Sequence, residues 1–221
     1  MKKEIIITSD GSNTLFVPEL NETYHSRHGA IRESAHVFVK EGFEFISSKN
    51  ELSILEVGFG TGLNAWMTLL AASNVKRKVK FTSLEIHPLD WELVSQLNYL
   101  SHKSDYLEAE MYAKMHTCSW GNYCQISSFF RLKKLKLKLQ ETHFENAFDL
   151  IYFDAFAPQI QPELWTQEIF ESMFESLILG GILVTYCAKG SVKRTLKSVG
   201  FDLQSIPGPP GKREMTRAIK W

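Results

Sequence analysis

The sequence predicts an α/β protein, a mostly parallel sheet with helices on both faces, and three observations carry that prediction. Short β-branched or aromatic runs alternate with longer segments whose apolar residues recur at helical spacing. A glycine-rich turn, EVGFGTGLN (Glu56 to Asn64), joins the first strong strand to the first core helix. The chain closes on FDLQSIPG and REMTRAIKW, two strands joined by GPPGK with no helix between them, which therefore pair antiparallel at one edge of the sheet. The alternation elsewhere implies right-handed crossovers and a parallel sheet covered on both sides.

Taken in chain order, IIITSDGSNTLFV reads as a hairpin turning at Asp10-Gly11, and RHGAIRESAHVFVKEGFEFI as a helix leading into the core. SILEVGF (Ser53 to Phe59) is the first core strand, and in LNAWMTLLAA the residues Leu63, Trp66, Met67 and Leu70 share a helix face. VKFTSLEI (Val79 to Ile86) is the next strand, with LDWELVSQLNYL helical after it. Residues 101–128, rich in Ser, Lys, Glu and Tyr, form a polar, partly helical insertion. Leu135, Leu137 and Leu139, alternating with Lys134, Lys136 and Lys138, mark a half-exposed strand beyond it. FDLIYFDAF, a helix from about Pro162 to Leu177, GGILVTYCA (Gly180 to Ala188) and a helix through VKRTLKSVG complete the pattern. The expected organisation is one domain, with residues 1–50 packed on a core of residues 51–221.

Bulk properties narrow the function classes. With 221 residues, 44% of them hydrophobic, the chain can bury a sizeable core. No apolar run approaches the ~20 residues that cross a bilayer, and MKKEIIITSDGS lacks an apolar leader core, so a soluble, cytoplasmic protein is expected. A monomer is the expected state. Cys118, Cys124 and Cys187 form no CxxC pair, and His25, His28 and His87 show no ligand spacing, so no metal is expected. Lysine plus arginine equals aspartate plus glutamate, 25 each, so a nucleic-acid partner must be argued from local patches.

The glycine turn points to a nucleoside. Gly58, Gly60 and Gly62 bend the backbone tightly and admit a ligand close to it. Their GxGxG spacing differs from the GxGxxG of dinucleotide sites, and no Lys-Ser/Thr follows as in a P-loop. Glu85 ends the next strand, where an acid accepts both hydroxyls of a ribose. An adenosyl group carrying a positive sulfonium and no phosphates suits a loop with Glu56 at its base. Asp154 ends the apolar run FDLIYFD, a lone acid at the carboxyl end of a buried strand. Phe156 stands beside it, Trp165 reads as core, and Pro158 and Pro162 stiffen the loop.

These motifs together, with YHSRHGAIRESAHVF, SLEIHPL, FDAFAPQIQPELWT, GSVKRTLKSVGF and GPPGKREM, run through nearly the whole chain. In them the chain resembles the methyltransferase domain of the MnmC family of bacterial tRNA-modification enzymes, in the stand-alone, MnmD-like form without the FAD-dependent oxidase half. The resemblance implies a class I S-adenosylmethionine methyltransferase (Rossmann-like) fold with a seven-stranded sheet. It implies methylation of 5-aminomethyl-2-thiouridine at the tRNA wobble position to 5-methylaminomethyl-2-thiouridine, with S-adenosylhomocysteine as product and the anticodon stem-loop as partner. It carries over Glu56, Gly58, Gly60, Gly62, Asn64 and Glu85 as cofactor contacts, and Tyr24, Ser26 and Glu33 as residues closing the pocket. Asp154 falls beside the methyl group, where it would hold the substrate amine and orient its lone pair, an acid of ordinary pKa being a poor base for an amine, and Phe156 beside it would stack on the base. Where many members place an Asp for adenine, this chain reads LKLKLQETHF, leaving Gln140 or Glu141 for that role. A phosphate-binding rim is expected from Lys189, Lys193, Arg194, Lys197, Lys212, Arg213 and Arg217, with Lys212 and Arg213 in the KREM motif the strongest members. The rival readings are a methyltransferase or aminopropyltransferase acting on a small free amine, and a silent S-adenosylmethionine- or RNA-binding module.

Overall fold

A hairpin turn and a helix start share one carboxylate at the front of the chain. The computed structural model describes residues 1–100 and 106–221. Within it β1 (Glu4–Ile7) and β2 (Asn13–Val17) form the expected hairpin, to which the two-residue β3 (Glu22–Thr23) adds a third strand. Asp10 Oδ1 accepts from Thr8 Oγ1 at 2.8 Å and from the Ser12 amide at 3.0 Å, closing the turn. Its Oδ2 accepts from the Arg32 amide at 3.0 Å, capping α1 (Ala30–Ser34) from outside the helix. Gly29, at φ 140°, is required there, since a Cβ would lie 2.5 Å from Asp10 Oδ2. The helix continues as a π-helical stretch, Ala35–Glu44, whose Val37, Phe38 and Phe43 are buried.

The core sheet has eight strands rather than seven. β4 (Glu51–Val57), β5 (Lys78–Leu84), β6 (Tyr123–Ser127), β7 (Phe130–Leu135), β8 (Phe148–Phe153), β9 (Leu177–Thr185), β10 (Asp202–Pro207) and β11 (Glu214–Ile219) lie in the order β10-β11-β9-β8-β4-β5-β7-β6. β4 pairs parallel with both β5 and β8, whereas β10 and β11 form the expected antiparallel edge. The extra strand comes from the polar insertion: beyond residues 101–105, which lie outside the described residues, it supplies α4 (Tyr106–Thr117) and then β6, antiparallel to β7.

β7 corrects the strand expected from the alternating leucines. It begins at Phe130 and ends at Leu135, with Leu137 exposed beyond it. The lysine of that alternation which lies inside the strand, Lys134, is fully buried. Its Nζ donates to the His116 carbonyl at 2.6 Å and lies 4.9 Å from the Trp120 ring, so the charge is satisfied without solvent.

The remaining helices are α2 (Leu63–Asn74), α3 (Trp91–Val94), α5 (Gln167–Ser176) and α6 (Gly190–Val199). Side-chain alternation splits the core into two layers. Ile54, Phe81, Leu132, Tyr152 and Val184 pack with residues of the π-helical stretch, α2 and α4. Leu55, Val57, Ile151, Phe153 and Leu183 pack on the other face with Ile169, Phe170, Met173 and Leu196 of α5 and α6. Arg217, expected at an RNA-binding rim, is buried on β11 instead: its Nη2 meets Glu41 Oε2 at 2.6 Å, tying the sheet to the π-helical stretch. No described helix is long and apolar enough to cross a membrane.

Gly42 lets the π-helical stretch lie flat on the sheet, because a Cβ there would sit 3.0 Å from the Tyr152 ring and 3.2 Å from Val184. Gly42→Val is expected to overpack this contact and cost about 1–3 kcal/mol. The measurement is a lower urea midpoint at unchanged m-value, and a midpoint equal to the parent's contradicts the packing.

Candidate active site

Strand order reverses between β4 and β8, and a crevice opens at their carboxyl ends, as in open α/β sheets generally. The glycine loop leaves β4 there and is fastened to the end of β5. The Gly58 and Phe59 amides donate to the Leu84 carbonyl at 3.0 and 3.2 Å. The Gly60 amide donates to Glu85 Oε2 at 3.0 Å, and the His87 amide to Oε1 at 2.7 Å, so Glu85 is held at the crevice with its remaining lone pairs available. Gly58 and Gly60 have φ of 91° and 49°, and a Cβ on Gly58 would stand 3.1 Å from the Asp154 carbonyl oxygen. The backbone can turn this closely only where no side chain projects.

Asp154 follows β8 directly, half-buried, its amide donating to the Val57 carbonyl at 3.3 Å. Oδ2 accepts from Asn64 Nδ2 at 2.8 Å. Burial, and then the negative charge of Glu33, push the carboxyl up to about 7, against the opposing pull of the Asn64 hydrogen bond and the Lys212 charge. Glu33 is itself fixed: Oε2 accepts from the Ser26 amide and Oε1 from Lys212 Nζ, both at 2.7 Å. Lys212 Nζ lies 3.9 Å from the centre of the Tyr186 ring, and the Tyr186 hydroxyl donates to the Ala155 carbonyl at 2.8 Å.

Behind Asp154 lies Glu56, fully buried, with Oε2 accepting from Ser83 Oγ at 2.6 Å. Burial raises its pKa well above the ordinary range, and the Asp154 charge adds to this. Glu56 Oε1 and Asn64 Oδ1 are both buried, and the Asn64 side chain opposes the rise of the Glu56 carboxyl. A crevice edged by Glu85, Asp154 and Glu33 offers acceptors, which fits a ligand bearing hydroxyls and positive charge. Glu85, the glycine loop and Asn64 are thus the residues that could hold S-adenosylmethionine, with Asp154 beside them.

The cavity above this floor measures about 1590 Å³, larger than the 300–1,000 Å³ typical of one small ligand, so there is room for a nucleoside beside a cofactor. Of the residues expected in the site, Tyr24, Ser26, Glu33, Gly58, Gly60, Asn64, Glu85, Gln140, Glu141, Asp154, Phe156, Pro158, Lys189, Lys212 and Arg213 all line it. Glu56 and Gly62 do not: Glu56 lies beneath, and Gly62 faces His116, 2.8 Å from where a Cβ would stand. The Phe156 ring meets Tyr24 edge-on, with centroids 5.3 Å apart. Its backbone is clamped on both sides, the amide donating to Gln161 Oε1 at 3.0 Å and the carbonyl accepting from Trp165 Nε1 at 2.8 Å. Trp165 is buried against Phe153, 5.0 Å between centroids.

Glu141 turns back on its own 3-10 turn, accepting from the Lys138 amide at 3.4 Å, while the Gln140 side chain stays exposed at the cavity. Of the expected cationic rim, Lys193 is committed to Glu214 at 2.9 Å, Lys189 to Gln159 and Lys212 to Glu33, whereas Arg213 is exposed. His25 pairs with Thr14 Oγ1 at 3.0 Å, and burial lowers it to about 4, so it is a neutral hydrogen-bonding residue. Among the described residues no three His, Cys, Asp or Glu side chains are grouped to hold a metal. Tyr186 is one of the lining residues that sequence reasoning missed; its signal is its position just past the carboxyl end of β9, where parallel sheets present site residues.

Comparison with known proteins agrees with this geometry. Residues 108–221 match a family described as S-adenosyl-L-methionine-dependent methyltransferase. The tRNA 5-methylaminomethyl-2-thiouridine biosynthesis bifunctional protein MnmC of Cupriavidus metallidurans is 29% identical over 97% of this chain, and that of a Marinomonas strain 28% identical over 90%. The chain spans about a third of the length of these curated relatives, 33% and 31%. The crystal structure of MnmC2 from Aquifex aeolicus superposes with a TM-score of 0.79 at 29% identity, covering 98% of this chain and 69% of that one. Spermidine synthase from Thermotoga maritima shares the fold, with a TM-score of 0.54 at 17% identity over 74% of its chain and 100% of this one. The mostly parallel sheet closed by an antiparallel hairpin is that of the class I methyltransferases, and S-adenosylmethionine is the cofactor. With more than half its residues matched, the chain belongs to the S-adenosyl-L-methionine-dependent methyltransferase family.

Proposed function

We propose that this methyltransferase acts on the exocyclic amine of 5-aminomethyl-2-thiouridine at the tRNA wobble position, giving 5-methylaminomethyl-2-thiouridine. The observation that carries the reading is Asp154, a carboxyl raised to about 7 at the floor of a cavity with room for a nucleoside beside the cofactor. The relatives are tRNA 5-methylaminomethyl-2-thiouridine biosynthesis proteins, which supports the same substrate.

Bound S-adenosylmethionine supplies a methyl group activated by the adjacent sulfonium. Glu85 and the glycine loop would hold the ribose, and Gln140 would take the adenine amino group, because Glu141 is occupied with its own backbone. Asn64 holds Asp154 Oδ2, leaving Oδ1 to accept a hydrogen bond from the substrate amine. An alkylamine is mostly protonated at neutral pH, so a proton must leave before its lone pair can attack. An ordinary aspartate near 4 is a weak base for that step. Asp154, raised to about 7, lies much closer to the amine, and so takes the proton as well as orienting the nitrogen, a fuller role than positioning alone. Phe156, clamped at its backbone and flanked by Tyr24, offers the face on which the flipped base stacks.

Incubation with labelled S-adenosylmethionine and either tRNA lacking the modification or free polyamines tests the substrate. Label is expected in the tRNA wobble nucleoside, and label in the amines alone contradicts the proposal. Asp154→Ala is expected to lower the transfer rate by about 10²–10⁴ while S-adenosylmethionine binding, measured calorimetrically, persists. Transfer at the parental rate would remove Asp154 from the chemistry. In the parent, activity is expected to rise through pH 7 as Asp154 ionises. Glu33→Gln removes the negative charge that raises Asp154 and frees the Lys212 cation that lowers it, so the inflection should move to lower pH. An inflection that stays in place or moves upward contradicts the electrostatic assignment.

A further inference from the structure

The crossover between β7 and β8 carries only the 3-10 turn Leu139–Glu141 and no helix. A parallel sheet normally has both faces covered. Here α5 and α6 cover β8, β9 and β11, and the half of that face formed by β5, β7 and β6 has no helix among the described residues.

Register shows what this open half displays. Lys80 is level with Arg131, and Thr82 with Lys133; across the next pair Gln125 is level with Arg131, and Tyr123 with Lys133. Since alternate residues of a strand point the same way, Lys78, Lys80, Arg131, Lys133, Tyr123 and Gln125 share one face, the face that carries Leu55 and Leu84 nearer the active site. The Tyr123 ring is 40% exposed and has the Arg131 guanidinium at 5.1 Å and Lys133 Nζ at 5.7 Å. Lys78, Lys80 and Arg131 line a concavity of about 330 Å³ with Glu51. Glu51 is paired with Lys80 at 2.6 Å, and Asp149 with Lys49; Lys78 and Arg131 lie close enough to lower the Glu51 carboxyl, but among the described residues neither they nor Lys133 form an ion pair. Lys136 and Lys138, both exposed, continue the positive track to the cavity, which Lys138 lines.

We propose that this uncovered face of β5, β7 and β6 is a second contact surface for the RNA substrate, binding its phosphodiester backbone through Lys78, Arg131 and Lys133, with Tyr123 offering a stacking face. The assignment rests on the tRNA reading above. In a chain with no net charge, unpaired cations gathered on a bare sheet face complement a polyanion. At about 3.3 Å per residue, Lys78 lies about 23 Å from Glu85, so the surface reaches RNA well outside the flipped nucleotide. It therefore supplies affinity for the RNA body and no contact to the reacting base.

The test replaces Lys78, Arg131 and Lys133 together by Gln and leaves Lys80, which holds Glu51. The KM for tRNA is expected to rise about tenfold or more, and the slope of log affinity against log salt to become shallower by about two to three, near 0.7–0.9 per lost phosphate contact. Calorimetric S-adenosylmethionine binding should match the parent, which reports an intact fold. A companion variant, Lys78→Arg with Arg131→Lys and Lys133→Arg, should retain the parental KM and slope. If the Gln variant keeps the parental KM and slope, or if the charge-conserving variant loses binding equally, the surface is wrong while the substrate reading stands. A parent that dimerises through this face, with the dimer lost in the Gln variant and tRNA affinity unchanged, also overturns it. A parent that does not methylate tRNA at all overturns the substrate reading and this surface with it.

Discussion

The structure depends on keeping carboxyl groups out of water at the point where strand order reverses. Asp154, Glu56 and Glu33 are gathered behind the glycine loop, and an unpaired buried charge is costly enough that each must be compensated or protonated. Each has a distinct compensation: Ser83 for Glu56, Asn64 for Asp154, and the Ser26 amide with Lys212 for Glu33. Because Lys212 is bonded to Glu33 rather than to Asp154, its charge lowers the Asp154 carboxyl less than burial and the Glu33 charge raise it. Placing the cation directly on Asp154 would instead lower its pKa and weaken it as a base.

This arrangement ties remote parts of the chain to one atom pair. Asp10 caps α1 and so sets where Glu33 points, while the β10–β11 turn carries Lys212 back across the same crevice. The Arg217–Glu41 pair holds β11 against the π-helical stretch that begins where α1 ends. The ends of the chain therefore close the site that the central strands open, although neither segment supplies the group closest to the chemistry.

The parts legible in the sequence were those set by local backbone chemistry. GxGxG after an apolar run specifies a tight strand-to-helix turn whatever surrounds it, and Glu85 and Asp154 could be placed because a strand's carboxyl end is visible in its apolar pattern. The illegible parts depend on partners far away in sequence. Lys134 is charged in an alternating run and so reads as solvent-facing, yet the His116 carbonyl and Trp120 ring make its burial tolerable. Arg217 reads as an RNA ligand until Glu41 claims it, and β6 is hidden in a polar segment because an edge strand need not be apolar. The raised pKa of Asp154 belongs to the same class, since burial and Glu33, some 120 residues away, produce it.

The direct measurement is the titration of the Asp154 carboxyl itself, followed by carbon-detected NMR on aspartate-labelled protein with Asp154→Asn to assign the signal. The account predicts a midpoint raised to about 7, well above the ordinary aspartate value of about 3.9. A midpoint near 4 would mean that the carboxyl is ionised throughout the neutral range and that Asp154 only orients the amine, contradicting the account of how this site prepares its substrate for methylation.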